Sequence, residues 1–139
     1  MGDLIQAIAF KFGGQYAVDS AVWSQAADTT VEYILTIPAT WVAYLIEQSG
    51  YTSGGDMRVT FIDQDGFARF EWTELLDTQK IYEILPFMEK FYKSDIIWRF
   101  KNESSATRTT GWCTTFLIIP ESNRLRFEKA IKKIADIVK

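Results

Sequence analysis

Residues 58–72 read RVTFIDQDGFARFEW and give the clearest structural signal in the chain. Residues 58–64 and 67–72 are rich in strand-forming side chains, and the Asp65-Gly66 dipeptide between them is typical of a type I′ hairpin turn. Antiparallel pairing across that turn predicts three cross-strand pairs: Phe61 with Phe70, Val59 with Trp72 and Thr60 with Glu71. One face of the hairpin is then apolar and the other mostly polar, as in a half-buried sheet.

The N-terminal segments predict a second hairpin. The apolar residues 4–12 and the segment 15–23 flank Gly13-Gly14, and two glycines supply the positive φ that a tight turn needs. An alternative stays open for the second segment, because Asp19 or Ser20 could cap a short helix there instead.

Three further segments have the β-branched and aromatic content of strands: residues 31–37, 95–101 and 112–119. In the second of them, Ile96, Trp98 and Phe100 occupy alternate positions and predict its buried face. The polar residues 102–111 between the last two strands predict a loop.

Two internal segments predict helices. Residues 41–49 are apolar around most of a helical circumference and lie between Thr40, which suits an N-cap, and Gly50, which suits the position after a helix. Residues 78–93 carry apolar side chains at helical spacing, with Pro86 marking a kink or a restart.

A third, amphipathic helix is predicted from Ser122 or Asn123 nearly to Lys139. These elements together predict an α+β fold, a mostly antiparallel sheet of about five or six strands with three helices packed largely on one face. No repeat, linker or break in composition divides the chain, so residues 1–139 are predicted to form a single domain.

The most informative count in the composition is the absence of histidine. Without imidazole, Ser–His and Cys–His nucleophiles, His general bases and His-ligated zinc are excluded. The one cysteine, Cys113, lies in an apolar strand and is expected to be a small buried residue. Residues 63–66 resemble part of a calcium loop, but Phe61 and Trp72 would occupy ligand positions. We therefore predict no metal and no cofactor.

The net charge of −3 argues against nucleic-acid binding, because a binder must neutralise phosphates with Lys and Arg. No apolar run is long enough to predict a membrane span. A single cysteine fits a reducing compartment, and the N-terminus lacks the basic region of a signal peptide, so a cytoplasmic location is expected.

The leading functional hypothesis is a non-enzymatic protein-binding domain. An acidic, aromatic-rich chain without an assembled catalytic group favours a protein that occludes a partner. We specifically expect an immunity or inhibitor protein that blocks a toxin, since acidic inhibitors can be steered to basic partners. The candidate contact residues are charged and aromatic side chains in or near predicted loops: Tyr51, Asp56, Asp63, Asp65, Phe67, Asp77, Glu103 and Arg108.

Two alternatives stay open. The first is a small-molecule-binding or enzymatic α+β domain, in which Asp19 or Glu71 acts and Arg69 or Arg108 orients an anionic ligand. The second is a self-associating structural subunit, in which the helix at 41–49 or an exposed strand edge pairs with its copy. A homo-oligomer is therefore compatible with the sequence.

Overall fold

A computed structural model describes residues 2–63, 71–76, 79–83 and 91–138. These residues form a first helix, eight strands, a short 3-10 turn and a second helix. In chain order they are α1 (Gly2–Lys11), β1 (Gln15–Gln25), β2 (Thr30–Leu35), β3 (Trp41–Thr52), β4 (Met57–Asp63), β5 (Glu71–Leu76), β6 (Gln79–Glu83), β7 (Ile96–Asn102), β8 (Arg108–Pro120), the turn Glu121–Asn123 and α2 (Arg124–Val138).

The strands form two four-stranded antiparallel sheets that pack face to face. Sheet A has the order β1-β8-β3-β6 and sheet B the order β2-β7-β4-β5. Successive strands therefore alternate between the sheets, except that β4 and β5 are neighbours in sheet B. This strand order is that of an eight-stranded jelly roll.

The predicted α+β fold, with five or six strands and three helices on one face, is therefore wrong. Strands dominate the described residues, and the helices there are α1 and α2 alone. Both helices pack on the outer face of sheet A, where Ala9, Phe127 and Ile131 meet Tyr44 and Leu117 in a second apolar core. Among the described helices, neither is long and apolar enough to cross a membrane.

Residues 41–49 form part of strand β3 and not a helix, because β3 lies inside sheet A between β8 and β6. Ala43 and Leu45 face the interior of the sandwich, whereas Val42 and Tyr44 face the helices. Apolar residues on every side suit a strand that is buried on both faces as well as they suit a buried helix.

Two other predictions fail because of packing partners that are distant in sequence. Residues 4–12 lie largely in α1, and Gly13, at a φ of 80°, ends that helix instead of turning a hairpin. Residues 79–83, within the predicted 78–93 helix, form β6, which pairs with β3. The part of that helix around Pro86 lies outside the described residues.

The remaining predicted elements are confirmed, with one change of register. Segment 15–23 forms β1, and the predicted strands at 31–37, 95–101 and 112–119 form β2, β7 and β8. The last helix is α2. Strands β4 and β5 pair antiparallel, but Phe61 lies opposite Trp72 instead of Phe70, so the register is shifted by two residues. The Asp65-Gly66 turn lies outside the described residues.

Aromatic rings fill the space between the sheets. The ring centroids of Trp98 and Trp112 are 6.0 Å apart. The Phe100 centroid lies 5.2 Å from that of Trp112, and the Phe61 centroid lies 5.6 Å from that of Trp98. Trp112 lies between two small residues, since its register partners on β1 and β3 are Ala21 and Gly50. A Cβ at Gly50 would stand 2.7 Å from Cε3 of Trp112, so this ring requires glycine there.

We expect Gly50→Ala to destabilise the fold by about 1–3 kcal/mol, because the added methyl group must displace the Trp112 ring from a filled core. Gly111→Ala is the matched control on the neighbouring strand, where a Cβ would meet its nearest atom, Cγ2 of Val22, at 3.6 Å. Urea denaturation of both variants measures the difference. Equal stability of the two variants would contradict this account of the core.

Candidate functional site

Three described loops meet at one end of the sandwich, which we call the loop end. They are residues 26–29, 53–56 and 103–107, which connect β1 to β2, β3 to β4 and β7 to β8. Backbone hydrogen bonds join them: Asp28 N–H donates to Asn102 O at 3.0 Å, and Glu103 N–H donates to Asp56 O at 2.9 Å. The loop end is therefore one connected surface.

The Asn102 side chain is the centre of this surface and is fully buried. Its Nδ2 lies 3.1 Å from Gln25 O, 3.1 Å from Ala26 O and 2.9 Å from Ala106 O. Its Oδ1 accepts from the Ser104 N–H at 3.0 Å and from the Ser104 hydroxyl at 2.6 Å. One amide thus holds the 26–29 and 103–107 loops together with all of its hydrogen-bonding atoms used.

Gln25 joins the 26–29 loop to strand β7. It is 1% exposed, and its Nε2 donates to Thr29 O and Phe100 O, both at 2.8 Å. Its Oε1 accepts from Trp23 Nε1 at 2.9 Å. Two buried amides with complete sets of partners thus hold the 26–29 and 103–107 loops against the ends of β1 and β7.

Arg108 is half-buried at the first position of β8 and lies against the 53–56 loop. Its Nε donates to the Ser104 hydroxyl at 3.2 Å. A Cβ at Gly55 would lie 3.0 Å from Nη2, and Gly55 has a φ of 98°, so the loop backbone passes directly beside the guanidinium. None of the ion pairs formed by the described residues involves Arg108.

Arg58 and Glu103 form an exposed ion pair on the same end, with Nε to Oε1 at 2.5 Å and Nη2 to Oε2 at 3.3 Å. Hydrogen bonding to Arg58 lowers the pKa of Glu103. Exposed pairs of this kind contribute little to stability, yet two-pronged geometry orients both side chains. The carboxylate of Glu103 is therefore already occupied.

Four of the contact residues predicted from the sequence lie at or next to the loop end: Tyr51, Asp56, Glu103 and Arg108. Asp63 lies at the other end of β4, opposite Ile96, and so belongs to the far end of the sandwich. Asp65, Phe67 and Asp77 lie outside the described residues. Antiparallel strands separate loops into two sets at opposite ends, which spacing along the chain does not reveal.

Sequence reasoning missed Asn102 and Gln25, although one signal could have found them. Asn102 continues the alternation of Ile96, Trp98 and Phe100, and Gln25 lies two residues after the inward-facing Trp23. A polar residue at an inward position at the end of a strand must find hydrogen-bond partners in the neighbouring loops.

The residues proposed for the small-molecule alternative are not brought together. Asp19 lies on the inner face of β1, in register with the inward-facing Thr114. Arg108 pairs with Gln25, six residues further along β1, which separates it from Asp19 by about 20 Å. Arg69 lies outside the described residues, and Glu71 is the first residue of β5.

Asp19 does have one notable neighbour, the Tyr33 hydroxyl on β2. Burial, and then the Asp19 carboxylate, raise the pKa of Tyr33. The hydroxyl nevertheless has no partner at standard hydrogen-bond geometry, and the buried hydroxyl of Thr114 also has none among the described residues. Gln48, in register with Thr114, accepts from Trp98 Nε1 at 2.9 Å.

No group of three or more potential metal-binding side chains occurs in the described parts of the chain.

No protein-family model matches the chain, and no curated protein matches it. Among solved structures, it is similar to the Yersinia pseudotuberculosis-derived mitogen, with 19% identity and a TM-score of 0.47 over 71% of this chain and 85% of that one. RmlC from Streptococcus suis, in complex with dTDP-D-xylose, has 12% identity and a TM-score of 0.42 over 76% and 46%. The dTDP-4-dehydrorhamnose 3,5-epimerase from Elizabethkingia anophelis has 9% identity and a TM-score of 0.43 over 68% and 48%.

The chain spans about half the length of the last two proteins. The assignment of a jelly roll rests on the strand order of the two sheets. The described acidic residues that were predicted to contact a toxin do not share one free surface, since Asp56 and Asp63 lie at opposite ends of the sandwich and Glu103 is paired with Arg58. We do not retain the prediction of an immunity protein.

We expect Asn102→Asp to lower the free energy of unfolding at pH 7 by about 1–3 kcal/mol, because a carboxylate cannot donate to the buried carbonyl groups around it. Those carbonyl groups favour the protonated acid, so the folded-state pKa is raised. Stability is then greatest below the unfolded pKa of about 3.9 and falls as the pH rises.

Denaturation curves between pH 4 and 7 measure this effect, relative to the wild type. Ser105→Asp is the control, since it adds the same carboxylate to an exposed position of the same loop. A pH-independent difference between Asn102→Asp and the wild type would contradict the assigned role of the amide.

Tyr33→Phe should leave stability at pH 7 within about 1 kcal/mol of the wild type, because the deleted hydroxyl has no standard hydrogen bond. Above pH 10, the ordinary pKa of tyrosine, the wild type should lose stability more steeply than this variant. The raised folded-state pKa means that the unfolded chain loses its proton first. Denaturation between pH 7 and 11 measures the slopes, with Tyr51→Phe as the exposed control. Identical slopes for all three proteins would refute the assigned environment of Tyr33.

Proposed function

We propose that this chain is a non-enzymatic protein-binding domain that uses the loop end as its contact surface. Arg108 is the residue proposed to receive a carboxylate of the partner. The proposal rests on one observation. The Arg108 guanidinium is positioned by Ser104 and the Gly54-Gly55 backbone but has no carboxylate partner among the described residues.

Preorganisation supports this role. An arginine loses side-chain entropy when it is fixed by a ligand, and that cost is reduced when the free protein already holds the side chain. The Ser104 hydroxyl donates to the buried Asn102 side chain and accepts from Arg108 Nε, so Asn102 helps to position the guanidinium through Ser104. Loops on a rigid scaffold are a common place for binding residues.

Tyr51 and the Arg58–Glu103 pair provide the surroundings of an interface. Tyr51 is 49% exposed and is the second-last residue of β3, next to the loop end. Tyrosine and arginine are enriched among residues that dominate binding energy, whereas charged pairs at a rim chiefly set orientation and specificity. The combination fits a protein partner with an acidic contact residue.

The non-enzymatic part of the proposal is supported by what surrounds Arg108. Its described neighbours are hydroxyl, amide and backbone groups that already bond to one another. The sandwich interior beneath it is filled by Trp23, Phe100 and Trp112. A general acid or base would need a titratable group within hydrogen-bond reach of a reacting atom.

A second candidate function is small-molecule binding at the Asp19–Tyr33 pair. Its specific support is a carboxylate beside a buried hydroxyl, with the unpartnered Thr114 hydroxyl in register. It ranks below the first because Asp19 lies about 20 Å from Arg108, so one ligand of ordinary size would not engage both.

Affinity capture with matched variants tests the proposal. Wild type, Arg108→Gln and Arg126→Gln are immobilised and exposed to extract of the source cells, and retained proteins are quantified by mass spectrometry. Arg126 is exposed on α2 and serves as the control for loss of one positive charge. We expect a protein retained by the wild type and by Arg126→Gln to be reduced about tenfold or more by Arg108→Gln, as loss of a charged hydrogen bond implies.

Retention that is equal for all three proteins would contradict the proposal. Thermal unfolding of each variant is measured alongside, so that loss of binding is separated from loss of fold.

A further inference from the structure

Strand β1 forms one edge of sheet A. Its eleven residues pair with β8 at every position from Gln15 to Gln25, without a shift in register. On its other side, β1 has no strand partner among the described residues. It therefore presents a long, regular row of backbone groups.

This edge lacks most of the features by which proteins protect exposed strands. It contains no Lys, Arg or Pro, and no bulge interrupts it. On its outer face, Val18 is 66% exposed and Val22 is 75% exposed. An edge of this kind is a template for antiparallel pairing with another strand.

We propose that β1 pairs antiparallel with β1 of a second copy of this chain, about a two-fold axis at Ser20. Sheet A of one copy then continues into sheet A of the other, forming one eight-stranded sheet. The occupant is inferred from the sequence of the strand, QYAVDSAVWSQ, in which reversal about the central serine sets glutamine opposite glutamine at the ends and valine opposite valine two residues from the axis. Val18 of each copy lies opposite Val22 of the other.

The other pairs in this register are also compatible. On the outer face, Tyr16 meets Ser24, and Ser20 meets its own copy. On the inner face, Ala17 meets Trp23, and Gln15 meets Gln25. Each small residue faces a larger or polar one, and all eleven residues of the strand find a partner, as an isologous interface requires.

The charge of Asp19 selects this register. An axis at Ser20 places Asp19 opposite Ala21, whereas an axis at Asp19 would place two carboxylates directly opposite each other. An axis at Ala21 would set Val18 opposite Ser24 and leave Gln15 and Tyr16 beyond the partner strand. Axes between residues would set inward-facing positions opposite outward-facing ones, which a continuous sheet does not allow.

Asp19 also limits which strands can pair with this edge. An inward-pointing charge on an edge strand disfavours most pairings. Here the carboxylate points into its own sandwich beside Tyr33, so pairing about Ser20 leaves it where it already lies.

The first test is the molar mass in solution, from multi-angle light scattering and sedimentation at several concentrations. We expect a dimer for the wild type and for Leu125→Lys, a control at a side chain 68% exposed on α2. Val22→Lys should be a monomer, because the two-fold axis places a lysine against Val18 at both ends of the pair. A wild type that is monomeric up to about 1 mM, or a dimer that Val22→Lys leaves unchanged, would overturn the proposal.

The second test reports the register directly. Cys113 lies opposite Ser20 on β8, so Cys113→Ser is used as the background to prevent a bond within one chain. In that background, Ser20→Cys should give a disulfide-linked dimer when copper–phenanthroline and oxygen accept the two electrons of the thiols. Ser24→Cys should not, since its two copies lie far apart in the proposed register. Equal cross-linking of the two variants, or cross-linking of Ser24→Cys alone, would overturn the proposal, as would pairing of β1 with a different protein.

Discussion

The buried amide of Asn102 is the interaction on which the proposed binding surface depends. It joins the end of β1 to the loop after β7, segments that lie more than seventy residues apart in sequence. Because the amide is fully buried, moving it would remove a hydrogen bond from three carbonyl groups, those of Gln25, Ala26 and Ala106. Ser104, and through it Arg108, take their positions from this one side chain. The positions of Ser104 and Arg108 at the surface therefore depend on a polar side chain inside the protein.

The two faces of sheet A explain much of the composition of the chain. Its inner face packs on sheet B, and part of its outer face packs on α1 and α2, so strands β3 and β8 need apolar residues on both sides. Tyr44 shows how this second core is closed, since its hydroxyl donates to Glu128 at 2.7 Å, and Glu128 also binds Arg124. The aromatic residues whose side chains are described are thus divided between the two cores, apart from the exposed Phe10 and Tyr51.

The parts of the fold that could be predicted from sequence are those determined by local alternation. Strand β7 shows this well, because Ile96, Trp98 and Phe100 alternate with more polar residues and are all fully buried. Strand β3 could not be identified locally, since its double-sided burial depends on β8, more than fifty residues away, and on two helices. Local spacing gave the wrong outcome for residues 79–83 for the same reason, as their pairing with β3 is a distant contact.

The candidate site was only partly predictable on similar grounds. Loop residues such as Asp56, Glu103 and Arg108 stand out by their charge, but which loops share an end depends on strand order. Asp63 was therefore grouped with residues from the opposite end of the sandwich. The amides of Gln25 and Asn102 occupy positions that alternation marks as buried, yet their partners are backbone carbonyl groups that no sequence pattern specifies.

The hydrogen bonds of the loop end hold it in place before any partner binds. Amide hydrogen exchange followed by NMR tests it most directly. The N–H groups of Asp28, Glu103 and Ser104 each donate to an acceptor supplied by Asn102 or Asp56, and should exchange at least about a hundredfold more slowly than in an unstructured loop. Exchange at the unprotected rate for these three groups, in a protein whose β7 and β8 amides remain protected, would contradict the account.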